Sequence, residues 1–189
     1  MSIFLGIVEV KARRTRLIAL ALAICGLIAG CTSTQVSGAT FTVTSPGSID
    51  GALDIDSTCD GAATSPALAW SNEPSGTESY AIVMDHVPPE GGHHWYWVEW
   101  GIPATTQAVA AGATDTGVFG GNNVNPNVGY APPCSKGPGL KTYTITVYAL
   151  STSPDLPQTS TASVNRETLL SAISGITLAK ASIDLTYSR

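Results

Sequence analysis

Charge is scarce in this chain. Asp, Glu, Lys and Arg make up 12% of its 189 residues, too few to clothe long amphipathic helices. Several catalytic signatures are also missing. There is no Gly-x-Ser-x-Gly, no His-Glu-x-x-His and no phosphate loop, so the common hydrolase, metalloprotease and nucleotide-hydrolysing patterns find no support. Ser65 precedes a proline and has no evident base nearby in sequence. No Cys-x-x-Cys spacing points to zinc. No internal repeat occurs, and the length suits one domain. What is present is 19 Gly and 12 Pro amid many Ser and Thr. That mixture favours a loop-rich, mainly β domain.

The formal net charge of −5 includes an N-terminal segment with the marks of an export signal. Residues 1–30 hold Lys11, Arg13, Arg14 and Arg16 against Glu9, and the remainder carries 5 basic and 13 acidic residues. A mature chain near −8 repels nucleic-acid phosphates, so no nucleic-acid partner is expected, and any anion site must be local. Arg13 to Arg16 form a basic region, and Leu17 to Leu27 an apolar run too short for a membrane span. Leu27-Ile28-Ala29-Gly30-Cys31 then resembles a bacterial lipobox. The expected processing is cleavage before Cys31 and lipidation of that residue, giving a membrane-anchored protein of the bacterial cell envelope. An ordinary signal peptide, or an anchor, with an incidental Cys is the alternative. Residues 31–39 would be the lipidated Cys and a small, polar tether, and residues 40–189 the folded domain.

Along that domain, Thr40 to Ser45 alternates as a strand and Pro46-Gly47 turns it. Ala52 to Ile55 suggests a second short strand. Tyr80 to Met84 is an apolar run suited to a buried strand. It stops at Asp85, and a Pro-Pro-Glu-Gly-Gly loop leads to the aromatic strand Trp95 to Trp100. An acid at a strand end therefore lies beside a loop holding all three histidines, His86, His93 and His94. Ala104 to Thr116 reads as a connecting loop, and Gly117 to Tyr130 as a Gly- and Asn-rich loop whose backbone can approach a ligand. Thr142 to Leu150 alternates as a long strand. Asn165 is an N-cap for a helix with Glu167 in its first turn and an apolar face of Leu169, Leu170, Ala172, Ile173 and Ile176, and Ala181 to Tyr187 closes the chain as a strand. With Cys25 in the signal and Cys31 lipidated, Cys59 and Cys134 remain as a pair in an exported domain. They predict one disulfide, with two buried thiols as the alternative.

Several of these stretches resemble the phosphatidylethanolamine-binding protein family, in its bacterial Raf-kinase-inhibitor-like branch. Thr58-Cys59-Asp60-Gly61, followed by Ser65-Pro66-Ala67-Leu68-Ala69-Trp70, is the closest likeness. Asp85-His86-Val87-Pro88-Pro89 resembles the family's Asp-Pro-Asp-Ala-Pro loop, and Gly101-Ile102-Pro103 its Asn-Ile-Pro strand end. Gly121-Asn122-Asn123, Tyr130 to Gly139 and Tyr148-Ala149-Leu150 resemble later family stretches. The resemblance implies a β-rich Greek-key core of two antiparallel sheets with a C-terminal helix near the pocket. It also implies a small-anion pocket without a cofactor, beside which both Cys59 and Cys134 would fall.

The family pocket uses an Asp, a His on the aromatic strand and a His-x-Tyr on a later strand. Matched position by position, Asp85 and Tyr143 are retained, while Tyr96 and Lys141 stand where the histidines would be. Lys141, Tyr96 and Tyr143 still offer hydrogen-bond donors to an anion. His86 and His94 can add an imidazole from the loop, and Asn122 and Tyr130 come from the later stretches. The competing reading makes both tyrosines core aromatics and Lys141 a surface residue. Asp85 with the paired histidines also suggests a metal, although a solvated loop explains them as well and no spaced ligand set supports one. The expectation is a non-catalytic binder of a small anionic or phosphorylated group, anchored to a membrane by lipid. A protein partner, as in an inhibitor of a protease or kinase, is the rival, and a hydrolase using the histidine loop is a third. If Lys141 and the tyrosines hold the ligand alone, affinity should change little between about pH 5 and 8.

Metabolic labelling with radioactive palmitate should mark the expressed protein, and Cys31→Ser should abolish that label. Undiminished label in the variant would remove the lipobox assignment.

Overall fold

The computed structural model describes residues 39–189. The expected signal, Cys25, Cys31 and all but the last residue of the tether lie outside the described residues. Eight strands and one helix make up the domain: β1 (Thr42–Thr44), β2 (Leu68–Ser71), β3 (Ser79–His86), β4 (His94–Pro103), β5 (Ala108–Val109), β6 (Val118–Phe119), β7 (Lys141–Leu150), α1 (Arg166–Ile173) and β8 (Thr177–Tyr187). They form a three-stranded sheet, β1-β2-β5, and a five-stranded sheet, β6-β4-β3-β7-β8. Every strand pair in both is antiparallel. The fold is thus mainly β, with two antiparallel sheets and a C-terminal helix, as the sequence suggested.

The five-stranded sheet is covered on both faces, which explains the character of its central strand. β3 is buried without a break from Ser79 to Met84. Tyr80, Ile82 and Met84 join Phe41, Val43, Leu68 and Trp70 in the core between the sheets. Ala81 and Val83 face the other way, against Leu169 and Ile173 of α1 with Val98 and Trp100. A continuous apolar run is what such double burial demands. β7 shows the complementary pattern. Its Tyr143, Ile145, Val147 and Ala149 point to the inter-sheet core, while Thr144 and Thr146 on the opposite face bond to Asp184 and Ser182 of β8 at 2.7 and 2.9 Å.

Three segments depart from the sequence reading. The expected strand over Ala52 to Ile55 is absent; a 3-10 turn, Ile55–Ser57, forms instead because the Asp54 carboxylate caps it, accepting from the Asp56 N–H at 3.0 Å. The stretches read as loops over 104–116 and 117–130 each contain a two-residue strand, β5 and β6, too short to carry a periodic signal. The helix lies on the face of the large sheet opposite the inter-sheet core, so it does not line the cavity described below. Its N-cap is Asn165, whose side chain accepts from the Thr168 N–H at 2.9 Å.

Two irregularities in β4 bear on function. Met84 pairs with Trp97 while the next residue, Asp85, pairs with Trp95, so Tyr96 is an extra residue on β4. Tyr96 and Trp97 consequently both belong to the inter-sheet core, which strict alternation forbids. A second extra residue lies near Gly101, whose φ of 69° suits glycine.

The core also holds a carboxylic acid. Glu99 has no solvent exposure. It accepts from Trp97 Nε1 at 2.9 Å and from the Thr116 hydroxyl at 2.6 Å. Burial, outweighing these two bonds, raises its carboxyl to about 7. An unfolded chain would ionise it in the ordinary carboxylate range. Between those values the folded state keeps a proton that the unfolded state has lost, so stability falls as pH rises toward 7. The loss amounts to at most about 3 kcal/mol. Urea midpoints should therefore fall between pH 5 and pH 8, and Glu99→Gln should flatten that part of the profile. Parallel profiles for both proteins would mean that Glu99 is already ionised in the fold.

Candidate functional site

At one end of the large sheet, where β4 begins and β3 and β7 meet the loops, a cavity of about 540 Å³ opens. This is ample for a small organic ligand. Its floor comes from the strand faces. His86 and His94 are cross-strand partners and so share a face. Tyr96 reaches the same side because of its bulge, and Lys141 and Tyr143 follow by the period of β7. The walls are loops contributing Glu90, Asn123, Asn125, Ser135 and Lys136.

The floor groups brace one another. The rings of Tyr96 and Tyr143 meet edge to face at 5.3 Å, and the His86 ring lies 5.3 Å from that of Tyr143. Burial, their largest influence, raises both phenols above their ordinary values, so both remain neutral donors. The His86 Nδ1 lies 2.8 Å from the Thr142 carbonyl. A carbonyl only accepts, so the proton resides on Nδ1 and leaves Nε2 free. The Lys141 ammonium donates to the Ser135 hydroxyl at 3.0 Å and to the Gly137 carbonyl at 3.3 Å. Ser135 itself is buried with a φ of 22°, uncommon for a residue other than glycine.

A disulfide links Cys59 to Cys134, beside Ser135 on the cavity wall. The Cys59 N–H also donates to the Pro133 carbonyl at 3.1 Å. With 75 residues separating the cysteines, closing that loop in the unfolded chain is worth about 4 kcal/mol in the chain-entropy account.

The structure brings together five of the expected residues: His86, His94, Tyr96, Lys141 and Tyr143. Three others stand elsewhere. Asp85 follows Ala81 and Val83 onto the helix-side face, where its carboxylate accepts from Arg166 Nε at 2.7 Å and lies 3.4 Å from His93 Nδ1. Its neighbour Tyr148 has a phenol raised by burial, with Arg166 lowering and Asp85 raising it further. The adjacent His93 and His94 thus serve opposite faces of the sheet. Among the described residues, no three His, Cys, Asp or Glu side chains gather as they would around a metal. Asn122 organises its own loop: its side-chain oxygen accepts from the N–H groups of Val124 and Asn125 at 3.0 and 2.8 Å. Tyr130 stacks edge-on against Trp97, and its hydroxyl donates to the Ser57 carbonyl.

Sequence reasoning missed Arg166 and Asn123. Arg166 lies 81 residues from Asp85, and no local pattern links them. Asn123 accepts from the Trp95 N–H at 2.8 Å and donates to the His93 carbonyl at 2.9 Å, which ties the Asn-rich loop to the start of β4. The run of asparagines was the only available sign.

The geometry defines a two-sheet antiparallel β protein with a donor-rich pocket at its strand ends. Comparison with known proteins makes this specific. The family model for phosphatidylethanolamine-binding protein matches residues 43–188. The chain is 39% identical over 103 residues to the UPF0098 protein YbcL of Escherichia coli, covering 50% of this chain and 56% of that one. It is 34% identical over 99 residues to a UPF0098 protein of Aquifex aeolicus, covering 50% and 58%. These matches span little more than half the length of either relative. In structure it resembles E. coli YbcL, described as a new member of the mammalian family, with a TM-score of 0.69 over 80% of this chain and 99% of that one at 27% identity. CT736 of Chlamydia trachomatis gives a TM-score of 0.70 over 79% and 97%, also at 27% identity. The chain belongs to the phosphatidylethanolamine-binding protein family.

Asp85 and Arg166 are 15% and 18% exposed, so their bond is partly shielded from water. Asp85→Asn should lower unfolding free energy by about 1–3 kcal/mol, and a double-mutant cycle with Arg166→Met should show coupling. Any anion affinity of the cavity should stay within about twofold of the parent, because the pair lies on the opposite face of the sheet. A large loss of affinity in Asp85→Asn would place this acid in the binding machinery after all.

Proposed function

We propose that the protein binds a small phosphorylated or otherwise anionic group in the cavity above Tyr96 and Tyr143, without chemical turnover, as a lipid-anchored component of the bacterial cell envelope. One observation carries the binding reading. His86, His94, Lys136, Lys141 and the two neutral phenols converge on a single cavity in a chain that is acidic overall. An anion meets donors and positive charge there and a repulsive surface elsewhere. Glu90 is the single acid on the lining; it opposes a second negative charge and suits a ligand that also carries an ammonium. The disulfide supports an oxidising compartment. A protein partner is the second reading, favoured by Val87 and Leu140, exposed aliphatic residues on the loops that border the cavity.

Sulfate, an anion whose own charge is constant across neutral pH, is a suitable probe of the cavity beside phosphoethanolamine. A thermal-shift titration of the purified protein with sulfate and phosphoethanolamine should saturate. Lys141→Met should weaken both at least tenfold. Absence of any saturable shift would end the anion reading and direct the search to protein partners.

A further inference from the structure

A second concavity, of about 470 Å³, lies away from the anion cavity and shares no lining residue with it. Its walls are three loops, around Ser65, Thr114 and Val128, with Ser160 at the edge and Phe119 and Tyr130 among its lining. These walls are tied together before any ligand arrives. The Gly112 N–H donates to the Ser65 carbonyl at 3.0 Å, the Gly129 N–H to the Gly120 carbonyl at 2.9 Å, and the Thr161 N–H to the Phe119 carbonyl at 2.9 Å. Val128 is held by a bridge to Gly121. A site that is built in advance loses little entropy when it binds.

The chemistry of the lining is unlike that of the anion cavity. None of its side chains is charged, in a chain whose residues beyond 30 carry 13 acids against 5 basic groups. Burial keeps the Tyr130 phenol neutral. The hydroxyls, however, have capacity to spare. Ser65 is 4% exposed and its Oγ accepts from the Gly112 N–H at 3.2 Å. Its own proton meets no acceptor among the described residues, an unspent donor at a buried position. Ser160 Oγ likewise accepts, from the Phe119 N–H at 3.0 Å, and has a proton to give. Thr114 is an exposed member of the lining and forms no side-chain bond among the described residues. Phe119, Tyr130 and Val128 add aromatic and aliphatic carbon to these hydroxyls on the lining.

We propose that this trough is a second binding site, specific for a neutral saccharide. A sugar ring presents an apolar C–H face and a rim of hydroxyls, and no ionised group. The Phe119, Tyr130 and Val128 surface suits the face. The Ser65, Thr114 and Ser160 hydroxyls, each both donor and acceptor, suit the rim. An anion gains nothing from a lining without positive charge, and a purely apolar ligand would leave the Ser65 hydroxyl unpaired.

The test uses the purified full-length chain, titrated calorimetrically with glucose, N-acetylglucosamine and cellobiose. At least one sugar should bind saturably at millimolar concentration. Val128→Arg, an exposed substitution that fills the trough, should weaken it at least fivefold with an unchanged melting temperature. Thr114→Val keeps the shape and removes a hydroxyl, and should weaken it at least twofold. Lys141→Met, which acts on the anion cavity, should leave it unchanged. Failure of all three sugars to bind overturns the proposal, as does binding that Val128→Arg weakens less than fivefold. A smaller effect of Thr114→Val removes the hydroxyl recognition, and with it the saccharide assignment. Because the anion cavity is read by sulfate and Lys141→Met, the two sites succeed or fail separately.

Discussion

Burial of β3 on both faces is the constraint on which the rest of this domain depends. Ser79 to Met84 has no solvent on either side, so its backbone must be paired on both edges, by β4 and β7. Each face must be covered, one by the small sheet and the other by α1. Once β3 reaches the surface, at Asp85 and His86, the same alternation sorts its polar residues. Asp85 goes to the helix side and His86 to the cavity. The site is where the central strand emerges from the core with its two faces already assigned.

The bulge at Tyr96 modifies that sorting on the neighbouring strand. Without the extra residue, Tyr96 and Trp97 would face opposite ways. With it, Trp97 fills the core and reaches Glu99, while Tyr96 lines the cavity against Tyr143. Bulges frequently redirect side chains beside binding sites. The redirected phenol joins Lys141 and Tyr143 of β7 and His86 and His94 of the β3–β4 hairpin on the lining of one cavity.

Asp85 and Arg166 show how one partner can decide the place of a residue. An acid at a strand end beside a histidine loop suggests a ligand contact from sequence. Here an arginine at the N-terminal end of α1 takes the carboxylate at 2.7 Å, and His93 flanks it. The bond fastens the helix to the end of the central strand, so this acid contributes to docking the helix.

Sequence alone determined the mainly β class, the helix with its Asn165 cap, the long strands and the Cys59–Cys134 pair, while the two-sheet arrangement came from the family resemblance. Each rests on local period, local capping or a count of cysteines. It also named His86, His94, Tyr96, Lys141 and Tyr143, which line one cavity in the structure, though without a face for any of them. Only the tertiary structure decided those faces. A bulge leaves no mark on period-two patterning when both neighbours are aromatic. An ion pair across 81 residues leaves none at all, and strands of two residues are too short to show a period. The acid at Glu99 is the clearest case: on the page it is one polar letter in an aromatic strand, and only the packing around Trp97 and Thr116 reveals a carboxyl enclosed in the core, raised toward neutrality by loss of water.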